Sequence, residues 1–308
     1  MVRSPLQPVL VMPVYRGGEK FVRALESIRD VETYFRRIVV SLNGPLDSAD
    51  QHTMAEYQAL SQSKVEVITT GEEIPWIPHQ FFWLSYLEKT GENSDDWVMW
   101  FAHDDELRPR GIRSLARPDK NWPLHHGTTY LGPWGVRYDP PDGLFDGDRE
   151  GPLESWTSFP TAGPLKTSVP EWISDQLRQP TYINMSGCVT RLASFQQLRR
   201  FPFAKPGGMR IEMATAAAPV NRFVEEFPEP IVITYTSVGS DRTTYAAVAR
   251  RDDAHLMAWL INYLLHHPAG TIPLVRAATA LGIQRVKQAV TGSPSISEDW
   301  RRRENVEP

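Results

Sequence analysis

His103, Asp104, Asp105 and Glu106 stand side by side directly after the apolar run Asp96–Ala102. Adjacent carboxylates repel one another and are costly beside a buried strand unless a cation or hydrogen-bond donors compensate them. A hard divalent ion, Mg2+ or Mn2+, uses one or two carboxylates together with phosphate oxygens. The run therefore has the chemistry of a metal–diphosphate site. The same residues also suit a solvated turn with a helix N-cap ahead of Pro109, and the segment alone does not separate the two. A zinc site on His103 and the carboxylates is the weakest of the three, because no second histidine is near in sequence.

The elements that would carry these residues alternate along the chain. Pro8–Tyr15 is a continuous apolar run, expected as a buried parallel strand. Glu19–Arg29 carries Phe21, Val22, Leu25 and Ile28 at helical spacing. Arg37–Leu42 is a second strand stopped by Asn43-Gly-Pro45, and Asp50 is the expected N-cap of a helix running to Leu60. Val65–Thr69 is a third strand, His79–Lys89 a helix, and Asp96–Ala102 a fourth strand that runs into the acidic cluster. Strands separated by helical segments predict a mainly parallel, doubly wound α/β sheet flanked by helices. In such sheets ligands bind beyond the carboxyl ends of the strands, where the cluster sits.

Further on, residues 139–180 are rich in Pro and Gly and read as a long irregular segment. Strand-then-helix character returns over Tyr182–Phe201, and Pro230–Tyr235 is another strand. From Asp252 the pattern is helical only, with Leu256, Met257, Leu260, Ile261 and Leu264 on one stripe and a second helix near Pro273–Val290.

Composition narrows the function classes. The 308 residues hold 33 Lys+Arg against 37 Asp+Glu, a formal net charge of −4, which argues against a dedicated nucleic-acid binder. Cys188 is the single cysteine, so internal disulfides and multi-cysteine zinc sites are excluded and a cytoplasmic chain is expected. Val9–Val14 is short, contains Pro13 and lacks a small-residue cleavage site, so it is not read as a signal peptide. The run Leu256–Leu265 falls well short of the ~20 apolar residues a bilayer-spanning helix needs.

Taken together, Pro8–Gly17, Arg37–Gly44 and Phe101–Leu107 resemble the nucleotide-sugar-dependent glycosyltransferases with the GT-A fold, most closely the family 2 type. Met12-Pro-Val-Tyr15 looks like the family's first-strand element, and the acidic run within Phe101–Leu107 stands where the family has its metal-binding Asp-x-Asp motif. Asn184–Arg191 with Phe195 is similar to the segment lining the donor and acceptor sugars, and Glu212 stands where the family has its general base. The resemblance covers roughly residues 8–245. It implies a GT-A-like domain over 1–245, with 139–180 on the acceptor side and a helical extension over 246–308.

The activity implied is transfer of a sugar from a nucleoside diphosphate sugar to an acceptor hydroxyl on a glycan, lipid-linked carrier or protein, with inversion and with Glu212 as base. UDP is the favoured donor nucleotide, with dTDP and GDP open, and Mn2+ or Mg2+ is the implied cofactor. Asp105 and Asp104 are the implied metal ligands. Pro13, Tyr15, Arg16, Asn43, His103, Asp104 and Arg242 are the implied donor-binding residues.

Two departures from the family pattern matter. The second strand ends in Ser41-Leu-Asn43-Gly-Pro where the family carries an acid, so Asn43 would meet the base edge, with Asp47 or Asp50 as substitutes. The Asp-x-Asp register is also open. Either His103 and Asp105 take its outer positions or Asp104 and Glu106 do, and strand length favours Asp105 as the principal ligand.

Residues with less distinctive surroundings admit two roles. Trp134, Trp156 and Trp172 suit sugar stacking or core packing. Cys188 reads as a small buried residue. The apolar-striped tail with Arg301–Arg303 suits docking on the main domain, dimerisation, or contact with an anionic membrane at its cytoplasmic face. A non-catalytic nucleotide- or sugar-binding module and a sugar nucleotidyltransferase are the competing functional classes.

Overall fold

The structure, a computed structural model, describes residues 6–15, 17–61, 65–132, 134–138, 149, 155–157, 166–178, 185–200, 215 and 218–236, with isolated helical positions between 261 and 279. In chain order the elements are β1 (Val9–Val14), α1 (Glu19–Arg29), β2 (Arg37–Leu42), α2 (Ser48–Leu60), β3 (Val65–Thr69), α3 (Trp76–Lys89), β4 (Trp97–Trp100), β5 (Asp105–Leu107) and α4 (Pro109–Leu115). They continue as β6 (Thr128–Leu131), β7 (Trp134–Tyr138), β8 (Ser155–Thr157), β9 (Lys166–Ser168), α5 (Val169–Arg178), β10 (Cys188–Arg191), α6 (Leu192–Gln197), β11 (Phe223–Glu226) and β12 (Val232–Thr236).

Eight strands form one sheet in the order β3-β2-β1-β4-β10-β6-β11-β9. The half built from β3, β2, β1 and β4 is parallel, as the spacing of strands and helices predicts. Beyond it the sheet is mixed, because β10 runs antiparallel to both β4 and β6. A second sheet has the order β5-β12-β7-β8, with β5 antiparallel to β12.

The continuous apolar character of β1 follows from burial on both faces. Val9 and Val11 face a cluster with Trp83, Leu84 and Leu87 of α3 and Phe195 of α6. Leu10, Met12 and Val14 face the opposite cluster, with Phe21, Leu25 and Ile28 of α1 and Tyr57 of α2. Each such fully buried side chain contributes roughly 1.5–3 kcal/mol of transfer free energy, so alternate residues of one strand bind helices to both sides of the sheet.

Several local expectations are corrected. Helix α3 begins at Trp76, three residues before His79, with Pro75 at its N-cap and Pro78 accommodated in the first turn. Asp47, not Asp50, caps α2, its side chain accepting the Asp50 N–H at 2.9 Å. Within the segment read as irregular, the described residues form β8, β9 and α5, whose Trp172 and Ile173 are buried in the core. No helix among the described residues is long and apolar enough to cross a membrane. The helical tail falls almost wholly outside the described residues.

Candidate functional site

The carboxyl ends of β1, β2 and β4 lie side by side, and the loops leaving them are cross-linked. The loop after β1 is fixed through Gly18, whose N–H donates to the buried Asp50 carboxylate at 2.7 Å. Gly18 has φ +91, a left-handed conformation that glycine adopts freely. Tyr15, at the start of that loop, is 41% exposed. Its hydroxyl donates to Glu73 Oε2 at 3.3 Å, which joins it to the loop after β3.

Asn43 closes the loop between β3 and α3. Its Nδ2 donates to the Ile74 carbonyl at 2.8 Å, and its Oδ1 accepts the Ile74 N–H at 2.8 Å. Both polar ends of Asn43 thus hold backbone, which gives it a loop-shaping role. Gly44 beside it, at φ +92, leaves little room for any larger residue: an added Cβ would lie 3.0 Å from Glu73 Cγ.

Beyond β4 the chain is held from two sides. The Phe101 N–H donates to Val11 O at 2.9 Å, and the Ala102 N–H donates to Ser186 Oγ at 3.0 Å, just ahead of β10. His103 is half-buried, with hydrogen bonding to the backbone of Tyr15 and Pro13, so its ring ties the end of β4 to the end of β1. Burial lowers its pKa, opposed by Asp104 and the two backbone acceptors and reinforced by Lys20. The ring is thus a strut between strand ends, a role that competes with metal ligation.

The acidic cluster separates into three environments. Asp104 is exposed. Asp105 opens β5 opposite Thr234 and is 4% exposed. Glu106 is 1% exposed and paired: Arg149 Nε donates to its Oε2 at 2.8 Å, and Arg23 Nε lies 3.7 Å from its Oε1. Asp105 and Glu106 are therefore strand residues and not part of a solvated turn, and α4 starts after Arg108 with no side-chain cap.

Among the described residues no three His, Cys, Asp or Glu side chains form a preformed metal cage. Asp104 and Asp105 do fit a hard divalent ion, which takes one or two carboxylates and completes its shell with phosphate oxygens and water. Glu106, committed to arginines, does not belong to that set.

Behind the site lie groups with no distinctive sequence signal. His79 is fully buried, its Nε2 3.0 Å from Ser41 Oγ. Burial pushes its pKa down to about 4, with His103 acting in the same direction and the bond to Ser41 against it. Gln80 Oε1 accepts the indole N–H groups of Trp83 and Trp100, each at 2.9 Å. Trp76 packs edge-on against Trp100, with ring centroids 5.7 Å apart. Cys188 and Trp172 are both buried, as the packing alternative for each requires.

The structure thus brings together Pro13, Tyr15, Asn43, His103, Asp104 and Asp105 along adjacent strand ends. Arg16, Glu212 and Arg242 lie outside the described residues. Glu73, His79 and Arg149 are additions that sequence reasoning did not reach.

No protein-family model matches the chain, and no curated protein matches it in sequence. Solved structures do. A crystal structure of S. aureus TarS 1-349 is 12% identical, with 92% of this chain and 74% of that chain covered and a TM-score of 0.53. The same protein in complex with UDP-GlcNAc is 13% identical, with 89% and 72% covered and a TM-score of 0.54. At this identity the likeness concerns the fold, and together with the mostly parallel sheet flanked by helices it identifies the chain as a member of the GT-A fold.

Proposed function

We propose that the chain is a metal-dependent glycosyltransferase that moves a sugar from a nucleoside diphosphate sugar to an acceptor hydroxyl. The observation that carries this reading is the pair Asp104–Asp105 at the carboxyl end of β4, beside the end of β1, on a GT-A fold. One TarS structure with this fold holds UDP-GlcNAc, which favours a UDP-sugar as donor.

Asp105 and Asp104 would hold Mn2+ or Mg2+, which when bound neutralises charge that develops on the leaving diphosphate. Tyr15 is exposed at the rim and offers an aromatic face to a nucleobase, its hydroxyl steadied by Glu73. Asn43 and Asp50 act indirectly, by shaping the loops around the nucleotide. His103 keeps the ends of β1 and β4 in register. Arg16 and Arg242 are assigned to the diphosphate, and Glu212 to the acceptor hydroxyl as general base, which gives inversion through in-line attack.

In this reading residues 1–245 are the catalytic unit and 246–308 a helical extension that docks on it. The acceptor is a glycan, a lipid-linked carrier or a protein, reached at the cytoplasmic side of a membrane or in solution.

A donor-hydrolysis screen over UDP-, GDP- and dTDP-sugars with Mn2+ tests the proposal, and turnover of one nucleotide class is expected. One observation favours a second reading, a non-catalytic nucleotide- or sugar-binding module: no carboxylate ends β2, and Asn43 there is engaged by backbone. Nucleotide binding with no turnover of any donor would select it.

A further inference from the structure

Helix α1 and strand β5 run side by side in the same direction. Ser27 Oγ of α1 accepts the Leu107 N–H at 2.9 Å, and Arg23 Nε, one turn nearer the helix start, lies 3.7 Å from Glu106 Oε1. Lys20 stands one turn earlier still, about 4.5 Å further along the axis. It is about two turns from Ser27 and so shares the face that meets β5. Continued toward the helix start, the ladder of contacts brings Lys20 level with the residues just ahead of Glu106, the turn that holds Asp104.

The two basic residues of this face differ in what they meet. Arg23 is paired with Glu106. Lys20 is half-buried, and among the described residues neither its side chain nor that of Asp104 forms a hydrogen bond or an ion pair. Both charges nevertheless act on the His103 ring, Asp104 favouring its protonation and Lys20 opposing it. A cation and an anion therefore stand near one ring at the strand ends without neutralising each other.

Sugar transfer forms a bond from the acceptor oxygen to the anomeric carbon and breaks the bond from that carbon to the terminal phosphate oxygen. The phosphate oxygen keeps the electron pair, and the acceptor proton passes to the general base. Negative charge thus builds on the leaving diphosphate, where a fixed cation stabilises it. The charge of a divalent ion on Asp104 and Asp105 is already offset by those carboxylates, which leaves work for a further cation. A lysine ammonium acts toward phosphate as a point charge.

We infer that Lys20 is a diphosphate-binding residue, its ammonium meeting the phosphate oxygens beside the Asp104 turn and stabilising the leaving group. This rests on the metal–diphosphate reading given above, and it adds a cation on α1 to the two arginines assigned there.

The test is calorimetric titration of the full chain at saturating Mn2+ with UDP, GDP and dTDP and with the corresponding monophosphates, for wild type, Lys20→Met and Lys20→Arg. In Lys20→Met the diphosphate that wild type binds best should bind about tenfold weaker, and its monophosphate less than about threefold weaker. Mn2+ alone should bind within about twofold of wild type. Lys20→Arg keeps the charge and should lie closer to wild type than Lys20→Met.

Equal losses for diphosphate and monophosphate would reduce Lys20 to a structural contact and overturn the inference. Wild-type diphosphate affinity in Lys20→Met, or Lys20→Arg falling below Lys20→Met, would overturn it as well. Failure of the underlying reading shows in the wild type alone: a chain that binds none of the three diphosphates with Mn2+ has no metal–diphosphate site, and the inference falls with it.

Discussion

The Asp50 carboxylate accepts the Gly18 N–H at 2.7 Å and so ties the first turn of α2 to the loop that leaves β1. The same carboxylate fills the space beside Gly17, where an added Cβ would lie 1.9 Å from Asp50 Oδ2. Asp50→Ala should lower stability by about 1.5–3 kcal/mol, the range for a hydrogen bond to a charged group. Gly17→Ala should be damaging in the wild-type chain and nearly neutral alongside Asp50→Ala, because the clashing atoms are gone. Urea unfolding of the two single variants and the double variant checks this, and additive losses would contradict it.

His79 makes stability depend on pH with a defined sign. Its folded pKa, about 4, lies below the ordinary value of 6.5, so between these values the unfolded chain binds the extra proton. Stability is therefore full above pH 6.5 and falls as the pH drops toward 4, by an amount on the order of 3 kcal/mol for such a shift. His79→Gln should remove that part of the slope. Urea unfolding of both proteins at pH 7.5, 5.5 and 4.5 gives the comparison, and parallel losses in the two would refute the role of His79.

Gln80 is the shared acceptor of two buried indoles, Trp83 and Trp100. Gln80→Leu keeps the volume but strands both N–H groups, which at about 1–3 kcal/mol per orphaned group makes it one of the more damaging substitutions in α3. Thermal or urea unfolding with tryptophan fluorescence reports it directly. A loss below about 1 kcal/mol would show that the indoles find other acceptors.

The parallel half of the sheet is legible in the sequence because β1, β2 and β4 are apolar on both faces and the helices between them have regular spacing. The extent of α1 matches residue for residue. Strand β5 was not legible: its residues are Asp105, Glu106 and Leu107, and the pairing with β12 and the arginines that meet Glu106 come from distant segments. The antiparallel insertion of β10 beside β4 is equally non-local, since Cys188–Arg191 carries no mark of its direction.

At the site, residue types were readable but partners were not. Asn43 was visible as a polar strand end, yet its commitment to Ile74 depends on a loop that folds back 31 residues later. Arg149 sits among Pro, Gly and acidic residues that give no periodic signal, and its pairing with Glu106 spans 43 positions.

Glu212 is assigned as general base, and removal of such a group lowers turnover by about 10²–10⁴-fold while leaving ground-state binding in place. Glu212→Gln should therefore bind UDP with wild-type affinity and show sharply reduced transfer from the donor identified by the screen. Calorimetry on the one hand and steady-state transfer rates on the other separate the two effects. Wild-type turnover in this variant would remove Glu212 from the mechanism.

The most direct measurement is calorimetric titration of UDP into wild type and Asp105→Ala, each with Mn2+ and with EDTA. The expected result is UDP binding to wild type that requires Mn2+, and none detectable in Asp105→Ala at the same concentrations. UDP binding that is unaffected by EDTA, or equal in the two proteins, would contradict a metal–diphosphate site at Asp104–Asp105.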